Sequence, residues 1–120
     1  MALQRFSVPD RVEVRDQGGV GRLLQAAAHG QEPVGTAPDV IVVAAVPGRL
    51  RARYGGQADR FVELEAGHVA ENILLQATAS HLAAVPVGSF GSFGSAEAAA
   101  AIGLPSDETV VYLIPVGSVP

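Results

Sequence analysis

Four arginines, Arg49, Arg51, Arg53 and Arg60, lie within a dozen positions of a chain that has eight basic residues in all and a net charge of −4. A guanidinium is a planar fork of donors that suits phosphate or carboxylate. Arg53 is followed by Tyr54, whose phenol can both donate and accept a hydrogen bond. The same residues also fit a solvated loop with a stacked tyrosine, and Arg49 and Arg60 could pair with Asp59, Glu63 or Glu65. A second candidate is Val85 to Ser95, VPVGSFGSFGS, in which GSF occurs twice in tandem. Its Gly88, Ser89, Gly91 and Ser92 could present backbone amides to a phosphate or another anion as an anion-binding nest, or the segment could be a plain flexible connection. It has no lysine and matches neither a Walker loop nor a dinucleotide fingerprint. His68 and Asn72 stand at i, i+4, but two ligands of which one is an amide make a poor metal site. No Ser-His-Asp order or paired-carboxylate spacing supports a hydrolase.

These groups need elements to hold them. Phe61 to Leu82 has only Gly67 as an interruption, and Ala66, Val69, Ala70, Ile73, Leu74, Ala77 and Leu82 recur at helical spacing. The run is expected to form a buried helix. Glu65, His68, Asn72 and Gln76 fall in one polar line along it, expected to hydrogen-bond to backbone across a helix pair. Leu75, Ala79 and Val69 cover much of the rest, so the helix should lie between a sheet and something else, such as a second subunit. Val40 to Val46 is a β-branched and alanine run between Pro38-Asp39 and Pro47-Gly48, and reads as a central strand. Thr109 to Ile114 reads as a second one. Val20 to His29 suggests a short helix through Leu23, Leu24, Ala27 and Ala28, closed by Gly30. QEPVGTAPD and RLRARYGGQADRF read as loops, and Ser95 as the cap of a helix AEAAAAI ended by Gly103. Residues 1–22 form an N-terminal arm that could exchange with a partner, with RVEVR a candidate edge strand; residues 23–120 form the remaining unit. Two strands are a poor platform for so apolar a helix, so further strands are expected from elsewhere. The fold class is α+β, a mixed layered sheet packed on a long helix.

With 120 residues there is room for one domain. The chain is 48% hydrophobic and 17% charged, which points away from disorder and from nucleic acid as a partner. There is no cysteine, hence no disulfide, thiolate metal site or cysteine nucleophile. No stretch approaches the roughly 18 apolar residues of a membrane span, and MALQRFSVPD is not a basic segment followed by an apolar one, so a cytoplasmic setting is expected.

Gly30-Gln31, Ala37-Pro38, the strand, Arg49, Arg53-Tyr54-Gly55, Arg60 and EAGHVAEN from Glu65 to Asn72 follow one another in an order that resembles the nitroreductase superfamily. The sequence looks most like its SagB-type branch, which includes FMN-dependent azoline dehydrogenases. The likeness continues through Gly88 and Phe90, Leu104, Glu108 and Gly117, spanning most of residues 23–117.

The resemblance implies a nitroreductase-like α+β fold, an oxidoreductase activity and a dimer with FMN where two subunits meet. It assigns Glu65 to Leu82 as the long central helix and Val85 to Phe93 as the loop over the flavin, with Pro86, Val87, Gly88, Ser89, Phe90 and Arg49 as cofactor-binding candidates. Tyr54 and Arg53 take the place of a catalytic Lys-Tyr pair. Tyr54 matches the pattern and Arg53 does not, and a guanidinium is not a proton-abstracting base. The family's first half, with its arginine-rich FMN-gripping segment, has no counterpart here, and Ser118 stands where a basic residue is usual. The chain therefore looks like the second half of a flavin site, completed by another subunit. The alternatives are a flavin-free half-domain acting as a binding or scaffold subunit, and one piece of a split enzyme. An azoline-containing peptide, a quinone or a nitro compound would each suit as substrate.

Overall fold

The computed structural model describes residues 2–7, 11–16, 20–88 and 91–119. A five-stranded mixed sheet runs in the order β2-β1-β3-β5-β4, with β1 Ala2–Ser7, β2 Arg11–Asp16, β3 Asp39–Ala45, β4 Leu82–Ala84 and β5 Thr109–Ser118. β1 pairs parallel with β3 and antiparallel with β2, while β5 is antiparallel to both β3 and β4. The class is α+β; RVEVR forms the edge strand β2 as its alternation suggested, and the strands missing from the sequence reading are β1 and β4.

β3 and β5 are the central pair because their side chains are apolar on both faces. Val40 and Val42 point to one face, and Ile41 and Val43 to the other. Strands covered on both sides lack polar alternation. Between β3 and β5 the register slips: Val43 pairs with Tyr112 and Ala44 with Val110, leaving Val111 without a partner. This bulge turns Val111 and Tyr112 to the same face.

Helices cover the two faces unequally. α1 (Val20–Ala27), α2 (Glu32–Thr36) and α5 (Gly91–Ile102) belong to the first face, where Val20, Leu24, Val34, Val42, Ile102 and Leu113 form a sealed core. α1 buries Val20, Leu24 and Ala27 at i, i+4, i+7 and leaves Leu23 exposed. It ends in two left-handed residues, His29 (φ 56) and Gly30 (φ 75), with the Gly30 N–H donating to the Gln25 carbonyl at 2.8 Å. Ser95 is buried inside α5 rather than capping it, and its hydroxyl donates to the Val110 carbonyl at 2.8 Å. Helix starts with the second GSF repeat, so the Gly-Ser segment is shorter than its composition suggests.

The opposite face carries α4, Ala58–Ala79, a 22-residue helix that starts before Phe61 and stops before Leu82. It buries only the small-residue stripe Ala58, Val62, Ala66, Ala70 and Ala77. The polar line expected to be buried is instead exposed at Glu65, His68, Asn72 and Gln76. Gln76 donates to the Ser80 hydroxyl rather than across to another helix. A line of side chains is buried only if a neighbouring element covers that azimuth, and within this chain the sheet covers one side of α4 alone.

Between β3 and α4 the arginine-rich segment is helical, not a loop: α3 spans Pro47–Tyr54, followed by a 3-10 turn at Gly55–Gln57. Pro47, which ends the strand, also starts this helix, since proline suits the first helical turn. Gly55 (φ 57) stops it, donating to the Arg51 carbonyl. QEPVGTAPD likewise contains α2, again with proline in its first turn.

Candidate functional site

A cleft of ≈ 330 Å³ opens where the end of β3, α3 and the first half of α4 converge. Its wall is apolar, built by Val43, Ala44 and Val111 from the sheet, Val46 from the link between β3 and α3, and Val62, Ala66 and Val69 from α4. Val62, Ala66 and Val69 lie at i, i+4, i+7 and so share one helix face. Val111 reaches the cleft from the β5 bulge.

α3 delivers the polar side. Arg49 and Arg53 stand at i, i+4 and both line the cleft, along with Leu50 and Tyr54. Arg51 faces elsewhere and meets Asp59 at 3.0 Å, both side chains largely exposed, a pairing of little energetic weight. The Arg53 guanidinium carbon lies 5.4 Å from the Tyr54 ring centroid, within cation-π range. The Tyr54 ring meets Phe61 edge to face at 5.0 Å and 74°. Tyr54 is thus held between the two helices while 43% of it stays exposed. α4 contributes one carboxylate to the lining, Glu65.

The structure therefore brings Arg49, Arg53 and Tyr54 together. Pro86, Val87 and Gly88 run along the edge of β5 away from β3. Pro86 is exposed, and Val87 is buried. Val87 exchanges both backbone hydrogen bonds with Leu113, at 2.7 and 2.9 Å, so its amide serves the sheet. This antiparallel bridge carries the chain past Val87 toward the Val111 end of β5, the end that lines the cleft. Gly88 is the next residue, and a Cβ there would stand 3.0 Å from the Tyr112 ring, so only glycine fits without displacing it. Ser89 and Phe90 lie outside the described residues. His68 and Asn72 are exposed, and among the described residues no group of three or more His, Asp or Glu could hold a metal. Among them also, no helix is long and apolar enough to cross a membrane.

Sequence reasoning missed Leu50, Glu65, Val62 and the β3 end as cleft residues. The signal was present in Pro47: taken as a helix start, it places Arg49 and Arg53 on one face.

Residues 3–118 match the sequence profile of the Nitroreductase family. The chain belongs to the nitroreductase family. A Methanocaldococcus jannaschii protein bearing a nitroreductase name is 40% identical over 86 residues, covering 69% of this chain and 43% of that protein. A crystal structure of an Anabaena variabilis protein, also bearing a nitroreductase name, superposes with a TM-score of 0.78 and 26% identity over 91% of this chain and 22% of the other. The chain thus spans less than half the length of either relative, and it has a nitroreductase-like fold.

Proposed function

We propose that this chain is the cleft-bearing part of a cytoplasmic FMN-dependent oxidoreductase of the SagB-type branch, whose flavin site is completed by a companion surface. The observation that carries this reading is the convergence of Arg49, Arg53 and Tyr54 on an apolar cleft beside the Gly88 segment, in a chain of this family. The residues present fit the group. The apolar wall suits a planar ring, the cationic side suits a phosphate or an acid, and glycine at position 88 lets backbone come close to the sheet end.

In this reading Arg49 holds the phosphate, and Pro86 to Phe90 border the ring, with Val87 anchoring that segment to β5. FMN supplies the two-electron exchange when bound. Tyr54, fixed between Arg53 and Phe61, orients substrate at the mouth and can pass it a proton. Arg53 acts as a cation rather than as a base, since its guanidinium stays charged. The companion surface rests on α4: Leu64 and Leu75 are 49% and 60% exposed, which suits a helix that meets a second copy or another subunit.

Purified chain saturated with FMN and then desalted is expected to retain the flavin's visible absorbance, and Arg49→Gln to release it at lower FMN dilution. If no flavin is retained by the chain alone or with whatever chain co-purifies from its native host, the oxidoreductase reading fails.

A further inference from the structure

The polar groups of the cleft are arranged with a direction. Arg49 and Arg53 come from α3, Glu65 comes from α4, and most of the remaining lining is apolar. A ligand with one negative end and a flat apolar body is favoured with its acid toward the α3 cations and away from Glu65. Arg53 is the group best prepared for the acid. Its guanidinium is steadied against the Tyr54 ring at 5.4 Å, and Phe61 braces that ring in turn. A contact with a ring orients the guanidinium while leaving N–H donors for a bidentate partner.

From this we infer that the cleft selects a small aromatic carboxylate, held by Arg53 at its acid and turned away from Glu65 by like charge. The inference deepens the proposal above, because it takes the Arg53 and Tyr54 end of the cleft as the substrate side of that site and leaves Arg49 to the cofactor, but ligand selection of this kind needs no flavin to be measured. Substrates of the class would be flat aromatic acids, and their neutral analogues would bind the same wall without the charge contact.

The chain has no tryptophan and two tyrosines, so tyrosine emission is free of a stronger emitter and Tyr54 reports directly on the cleft. The experiment titrates the full chain with 4-nitrobenzoate and with 4-nitrobenzamide, both quenchers of similar shape, and compares affinities at low and high salt. The carboxylate is expected to bind about three- to tenfold more tightly at low salt, as suits a half-exposed charge contact, and to lose that advantage as salt rises. Arg53→Gln is expected to abolish the preference, bringing the carboxylate down to the amide's affinity. Glu65→Gln is expected to shift carboxylate binding the opposite way, about two- to fivefold tighter, and so to widen the preference over the amide. A general disturbance of the fold would weaken both ligands in both variants.

Equal affinities for the two ligands, no saturable quenching by either, or variants that move both ligands alike would overturn the inference. If flavin is retained but the preference is absent, this inference fails and the oxidoreductase reading stands. If the preference is present and flavin is never retained, the reverse holds.

Discussion

The two faces of the sheet use similar residues and end differently. On one, α1, α2 and α5 close over Val40, Val42, Val110 and Leu113, and the core is sealed. On the other, α4 alone lies over Val43 and Ile114, with Ile41, Val69, Ile73 and Tyr112 only partly covered and Leu64 and Leu75 exposed. Strand alternation supplies apolar side chains to both sides, so the difference lies in how many helices this chain brings to each. The sealed face carries stability. The face where only α4 lies over the strands has room for a cleft at its edge, which α3 completes.

That contrast predicts effects of very different size. Leu113→Ala, at a fully buried position in the sealed core, is expected to lower unfolding free energy by about 2–5 kcal/mol in urea titration, because transfer and cavity terms add. Loss below about 1 kcal/mol would mean that this face can collapse around the gap. Leu75→Asp, on the outer side of α4, is expected to cost the isolated chain less than about 1 kcal/mol, mostly helix propensity. The same substitution should shift any assembly toward smaller species in sedimentation. An unchanged oligomer would move the companion surface off α4, and a cost comparable to Leu113→Ala would remove the distinction between the faces. Asp59→Asn should change stability least, by about 0–1 kcal/mol, and by nothing measurable at high salt, since its partner Arg51 is also exposed.

Several elements were legible along the chain. The β-branched run at 40–46 became β3 one residue earlier, and the long helix appeared as α4, displaced by three residues at each end. Gly30 closes α1 in the left-handed conformation its position suggested. Arg53 and Tyr54 were identified as a pair, and they do meet at one cleft with Arg49. The arginine segment was misread because Pro47 was taken only as a strand stop, although the same residue opens α3. Ser95 was assigned to a cap on local grounds, whereas its partner is the Val110 carbonyl on β5. The exposed polar line of α4 failed for a related reason: periodicity shows which residues share a stripe and says nothing about what lies opposite it.

The sequence by itself determined the α+β class, the central strands, the long helix and the identity of the charged and aromatic residues at the cleft, because β-branched runs, helical periodicity and glycine stops act over a few residues. Tertiary structure alone decided that α3 faces α4 across the end of β3, that a bulge at Val111 completes the wall, and that one side of the sheet is closed while the other stays open. Those outcomes depend on contacts between segments tens of positions apart, where burial is settled by which surfaces meet rather than by the order of residues in either one.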